Sequence, residues 1–205
     1  SPLLKQDVRP GDIKYKDLNG DGKITYEQDR TWIGESSLPD LMFGLNLGAQ
    51  YKGFDMNVFL QGAAGTEIAL SGTYASGVED NTSFTRAFAT NGNTPYYLVE
   101  DSWTPENRDA EFTRLSTEFR SNNAYASSWW IRDASYVRIK DVQLGYELPD
   151  DLLNRFNIER VRIYLSGSNL HTFSALEYLD PESPNVHNGY YPQQKTYSLG
   201  VNITL

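Results

Sequence analysis

Residues 197–205 read Tyr-Ser-Leu-Gly-Val-Asn-Ile-Thr-Leu and alternate without a fault. Side chains of an extended chain point to opposite faces in turn, so Tyr197, Leu199, Val201, Ile203 and Leu205 form one apolar face. Ser198, Gly200, Asn202 and Thr204 form a small, polar one. Two environments suit such a strand. One is a sheet with a single solvated face. The other is a membrane barrel, whose strands turn one face to lipid and one to the lumen over about 9–11 residues.

The same period recurs upstream. Phe43, Leu45, Leu47, Ala49 and Tyr51 alternate with Gly44, Asn46, Gly48 and Gln50. After Lys52-Gly53 the pattern resumes as Phe54, Met56, Val58 and Leu60 against Asp55, Asn57, Phe59 and Gln61, and runs on towards Ile68 and Leu70. Two alternating runs across so tight a turn predict a hairpin. Asp55, Asn57 and Gln61 on one face are poor core residues and suit a wet lumen. Tyr51 and Phe54 flank the turn, where a barrel carries an aromatic girdle.

A further extended piece begins at Trp129-Trp130-Ile131-Arg132-Asp133 and continues to Leu148. Its second half places Val142, Leu144 and Tyr146 together. Strict alternation carries Arg138 and Lys140 onto that same face and Val137 and Ile139 onto the other. This predicts a strand that rises out of a bilayer into a polar extension, with Val137 and Ile139 packed on neighbouring loops. Residues 149–158 predict a connector with one helical turn, and 160–173 another strand, with Val161, Ile163 and Leu165 opposed to Arg162, Tyr164 and Ser166.

The expected fold is therefore all-β, with main strands near 41–51, 54–70, 128–148, 160–173 and 195–205. The links at 51–54 and 149–159 are short, whereas 71–127, 174–194 and the segment before residue 41 are long. Outer-membrane barrels put short turns on the periplasmic side and long loops outside. If Leu205 ends in the periplasm, every long link falls outside. The division expected is an extracellular loop over 1–40, then barrel strands over 41–205 with extracellular loops 71–127 and 174–194. Five strands cannot close a barrel, and open edges are not tolerated in lipid, so the chain reads as part of a longer one.

Composition removes other classes. A net charge of −9 argues against a nucleic-acid partner, because phosphate contacts need Lys and Arg. Without Cys there is no disulfide framework, thiolate zinc site or Cys nucleophile. No run of about 18 apolar residues exists to form a membrane helix, which leaves a barrel open. His171 and His187 are the only histidines, and both read as solvated loop residues. Glu100/Asp101 and Asp150/Asp151 read as turn carboxylates, and no Ser nucleophile motif or phosphate loop is present. The chain is not expected to be an enzyme.

One motif points to a metal. Asp17-Leu-Asn19-Gly-Asp21-Gly22-Lys23-Ile24-Thr25 matches the first nine positions of a calcium loop. Asp17, Asn19 and Asp21 alternate to supply the hard oxygens that Ca²⁺ prefers, Gly22 permits the bend, and Lys23 offers its carbonyl. The twelfth position is Gln28, flanked by Glu27 and Asp29, which weakens affinity or shifts the last ligand by one residue, with Asp29 completing the candidate set. A solvated Asn-Gly/Asp-Gly turn accounts for the same residues. No helices flank the loop, so its expected role is to staple a loop.

Seven blocks then resemble, in order and spacing, the C-terminal end of the SusC/RagA family of TonB-dependent outer-membrane transporters. They are Gly11-Asp-Ile-Lys-Tyr-Lys-Asp-Leu-Asn-Gly-Asp-Gly-Lys-Ile-Thr25 with Asp29-Arg-Thr-Trp-Ile-Gly34; Phe43-Gly-Leu-Asn-Leu47 with Tyr51-Lys-Gly-Phe-Asp-Met-Asn-Val-Phe-Leu-Gln-Gly62; Trp103-Thr-Pro-Glu-Asn107; Asp133-Ala-Ser-Tyr-Val-Arg-Ile-Lys-Asp-Val-Gln-Leu-Gly-Tyr146; Arg162-Ile-Tyr-Leu-Ser-Gly-Ser-Asn-Leu170; Asp180-Pro-Glu182; and residues 197–205. Two departures are an extra residue before Asp29 and Leu205 where an aromatic is usual.

The resemblance implies antiparallel strands at the end of a large transmembrane barrel, about 22-stranded in the family, a size at which the lumen is plugged. It implies a Gram-negative outer-membrane location in contact with the lipid bilayer. It also implies uptake of glycans or, at times, peptides, a SusD-like surface lipoprotein over the mouth, and TonB acting through an N-terminal plug and barrel portion that this chain lacks. Trp103 and Tyr97 are the candidates for stacking on a glycan or peptide ligand. The competing expectation is a soluble, secreted, calcium-stabilised β-module that binds glycans through its aromatics.

Overall fold

The computed structural model describes residues 8–70, 96–116, 122–156, 158–177, 179–182 and 193–205. In order, it contains β1 (Leu41–Tyr51), β2 (Phe54–Ala64), β3 (Glu67–Ala69), α1 (Tyr96–Glu100), β4 (Ile131–Asp133), β5 (Tyr136–Glu147), α2 (Asp150–Leu153), β6 (Arg160–Ser174) and β7 (Thr196–Thr204). The main sheet runs β1-β2-β5-β6-β7, and every pair is antiparallel. Strands of 9 to 15 residues match a bilayer-spanning length.

The links sort by end as the alternation of lengths predicts. Lys52 and Gly53 both take positive φ, 48° and 83°, which closes β1 onto β2 in two residues. The helical turn α2 closes β5 onto β6 at that same end, where Leu148 donates its N–H to the Val161 carbonyl at 2.9 Å. The connections after β2 and β6 leave from the opposite end. The extended run expected over 54–70 is broken at Gly65, φ 69°. The run expected over 128–148 is broken between β4 and β5.

Register places whole rungs on one side. Ala49, Met56, Leu144, Leu165 and Leu199 are cross-strand partners in sequence, as are Tyr51, Phe54, Tyr146, Ile163 and Val201. Between these lie rungs of the opposite side, such as Gln50, Asp55, Gly145, Tyr164 and Gly200. Among the described residues the apolar side has no partner layer: Leu47 is 48% exposed, Leu165 51% and Leu199 77%. A two-layer soluble fold would bury these residues.

One expectation is overturned. Arg138 and Lys140 do not share the face of Val142, Leu144 and Tyr146. Phe59 pairs with Asp141 but Leu60 with Ile139, so Lys140 is an extra residue in β5. This β-bulge reverses the facing of everything before it, because the side-chain period is two. Val137 and Ile139 therefore join the apolar side beside Gly62 and Leu60, and Arg138 turns to the polar side, where it is 2% exposed. The sequence pattern missed this because a bulge is a property of the pairing.

By contacts the chain falls into two units. The sheet lies in the unit formed by Ser36–Glu67, Asp133–Glu182 and Tyr191–Leu205. The other is drawn from Ser1–Glu35 and Ile68–Arg132 among the described residues. Its core holds Ile13, Leu98, Phe112 and Trp130, with fully buried Asn123 accepting from Ile13 N–H at 2.8 Å and donating to Asp12 at 2.9 Å. Residues 71–95, which contain much of the long loop expected over 71–127, lie outside the described residues, as does His187.

Candidate functional site

The polar side of the sheet carries two charged clusters. Near the short-link end, Arg162 on β6 donates from Nε and Nη2 to both carboxylate oxygens of Asp55 on β2, at 2.8 and 2.5 Å, and to Gln143 Oε1 at 2.9 Å. β5 runs between them, and the pair passes over Gly145, where an added Cβ would collide with the guanidinium and the carboxylate. Near the other end, just beyond the bulge, Arg138 donates to Thr172, Glu182 and Asp180 at 2.7, 2.8 and 2.6 Å. Neither cluster was singled out from sequence. Arg162 and Asp55 lie 107 residues apart in the chain. The signals present were Asp55 within an alternating strand and the paired carboxylates around Pro181.

The predicted metal-loop residues are held together. Asp17 accepts from the N–H of Gly20 at 2.7 Å and of Gly22 at 2.9 Å. Asn19 accepts from Asp21 N–H at 2.9 Å, and Asp21 from Lys23 N–H at 2.8 Å. Asp29 closes the loop, taking Leu18 N–H on one oxygen at 2.8 Å and Thr25 N–H on the other at 2.7 Å. These donors, Thr25 first and then Leu18, hold the Asp29 carboxyl below its ordinary pKa. Gly20 and Gly22 supply the left-handed φ values of 76° and 83° that the coil demands. Among the described residues no three acidic or histidine side chains converge on a single point. The donor set is nonetheless all oxygen, and each carboxylate oxygen engaged by one N–H keeps a second lone pair.

Trp103 and Tyr97 both belong to the unit without the main sheet. Trp103 begins the turn in which Thr104 and Asn107 exchange N–H···O bonds of 3.1 Å. Its half-buried ring lies on Gly11, where a Cβ would come within 2.5 Å of Trp103 Cε3. Tyr97, on α1, packs its ring 6.0 Å from that of Phe112. The two are not brought together by any ring contact. His171 lies within β6, its ring edge-on to Phe173 at 4.4 Å.

No family model matches the chain. TonB-dependent receptor P3 of Formosa agariphila is 32% identical over 217 residues, which span 98% of this chain and 20% of that protein. This chain belongs to the TonB-dependent receptors. TonB-dependent receptor SusC of Bacteroides thetaiotaomicron is 25% identical over 98% of this chain and 18% of its own length. The fold agrees: the structure of the RagAB peptide importer in its closed-closed state superposes with a TM-score of 0.64 over 91% of this chain and 20% of that one, at 23% identity. The chain spans about a fifth of the length of the curated relatives it matches. Its relatives are receptors, not enzymes.

Proposed function

We propose that the chain forms part of the wall, with outward loops, of an outer-membrane importer energised through TonB. The observation that carries this reading is the apolar side of the sheet, whose complete rungs of five residues have no covering layer among the described residues. Lipid covers such a face at no cost, whereas water does not. Phe43, Leu45, Leu47, Met56, Val58, Leu60, Leu199, Val201 and Ile203 face lipid on this reading, and the polar side lines the lumen. β1 and β7 each offer an edge, unpaired among the described residues, to strands contributed by the rest of the protein. TonB acts through that remaining part, and a SusD-like lipoprotein covers the outer mouth.

The cargo is an oligosaccharide, with an oligopeptide as the second reading because the superposed importer carries peptides. Trp103 and Tyr97, each partly exposed, offer ring faces to either cargo. Asp17, Asn19, Asp21, the Lys23 carbonyl and Asp29 hold a calcium ion that fastens the outward loop. When bound it supplies charge neutralisation and cross-linking, with no part in chemistry.

Site-directed nitroxides in the full-length protein in membranes test the wall. A label at Leu199→Cys is relaxed by oxygen dissolved in lipid, and one at Ser198→Cys by a water-soluble nickel complex. The reverse pattern ends the proposal. Cellular uptake of a fluorescent oligosaccharide against a fluorescent peptide decides the cargo.

A further inference from the structure

We infer that Arg138 is a positioning residue that clamps the chain at 179–182 to the polar side of the sheet, and so sets how much of the space beside that side is open to solute. The inference rests on the membrane-wall reading above.

Arg138 is buried, and each of its three nitrogens has a partner: Nε bonds Thr172 Oγ1 on the neighbouring strand, Nη1 bonds Glu182 and Nη2 bonds Asp180. The two carboxylates are set for this grip. Pro181 between them fixes its own φ and lacks an N–H, and Glu182 N–H folds back onto Asp180 Oδ1 at 3.0 Å. Glu182 is the hub. It also accepts from the Tyr136 hydroxyl at 2.9 Å, from Lys140 Nζ at 3.4 Å and from Gln193 Nε2. Glu182 and Gln193 thus meet on the same wall from the two limbs of the β6–β7 connection. Asn169, held at φ 52°, fixes the second limb by donating to the Gln194 carbonyl at 3.2 Å.

A connection at the end of a sheet can leave towards either side. Here the charges decide. Arg138 and Lys140 face Asp180 and Glu182, two against two, and a desolvated guanidinium holds two carboxylates far better than one ammonium. The bulge at Lys140 makes the clamp possible, because strict alternation would leave Arg138 on the apolar side. A strap bent over the lumen wall occupies part of the path that solute takes along it. Removing one partner of a buried charge network leaves the others uncompensated, which is among the most damaging changes to a local structure.

Cysteine accessibility tests this in the full-length protein, embedded in membranes on a cysteine-free background. Leu179→Cys reports on the strap and Leu199→Cys on the apolar side. With Arg138 intact, Leu179→Cys reacts with a small maleimide and is shielded from one carrying a long polyethylene glycol chain. Arg138→Met, similar in length but without donors, raises the rate with the bulky reagent by roughly tenfold or more. Arg138→Lys recovers part of the shielding, and Glu182→Gln, which keeps the shape, gives an intermediate rate. Equal bulky-reagent rates in the parent, Arg138→Met and Glu182→Gln proteins overturn the clamp. Protection of Leu199→Cys from aqueous reagent in each variant shows that the wall is assembled. If Leu199→Cys reacts freely with Arg138 in place, the membrane-wall reading fails, and not the clamp.

Discussion

Arg162 grips Asp55 across a strand to which neither belongs, with both guanidinium–carboxylate contacts at 2.8 Å or less. The bond ties β2 to β6 over β5 and is possible only where β5 offers no side chain, at Gly145. Gly145→Val therefore removes an interaction between two strands while altering a third. The expected loss is about 2 kcal/mol, reduced from the full value of a buried pair because both groups keep some solvent contact. Denaturant midpoints of the membrane-assembled protein check it. Gly145→Val on an Asp55→Ala, Arg162→Ala background should cost clearly less, and an equal cost in both backgrounds removes the explanation.

The two sides of β7 should respond oppositely to charge. Leu199→Lys costs about 2–4 kcal/mol if the residue lies near the bilayer midplane, and Ser198→Lys close to nothing. The quantity to measure is the fraction of protein that reaches the folded, heat-modifiable form. Similar fractions for both variants contradict the lipid-facing assignment.

The β1–β2 turn depends on Gly53. Its φ of 83° and the Glu147 carbonyl 3.0 Å from an added Cβ leave Gly53→Ala both strained and crowded. About 1–2 kcal/mol of destabilisation follows. Lys52, also at positive φ, is a site where substitution by glycine should be neutral or favourable, and unfolding midpoints of the two variants should move apart.

The acidic loop should open in acid. Asp29 has a folded-state pKa below its unfolded value, so its contribution is present above the unfolded carboxyl value of about 3.9 and is lost as pH falls through the folded one. Amide exchange at Leu18 and Thr25, the two donors to Asp29, should accelerate together below about pH 4. Calcium titrated at neutral pH should slow that exchange and Asp29→Asn should abolish the slowing. Exchange indifferent to calcium would remove the ion from the loop.

Much of the sheet was legible because a membrane-type strand carries its period in single residues: β1 and β7 lie where the alternation put them, and the Lys52-Gly53 turn is the one its spacing implied. What was illegible depended on pairing. Nothing local to residues 136–147 says that Lys140 is unpaired, since that is decided by β2. Asp55 and Arg162 are both ordinary polar-face residues until Gly145 is seen between them. The place of Trp103 was hidden for a related reason. Its partner is the bare Cα of Gly11, which in sequence reads only as a turn residue.

The bulge at Lys140 also makes β5 more tolerant of exchange than of gain. Any side chain at position 140 preserves the count of residues between Val137 and Val142. Deleting Lys140 would remove the bulge yet leave the facing against β2 unchanged, with Ile139 still opposite Leu60 and Asp141 opposite Phe59. One residue more, without a second bulge, would hand an arginine to the hydrocarbon and two aliphatic residues to water. Insertions in this strand are thus penalised far beyond what the chemistry of the residue gained would suggest.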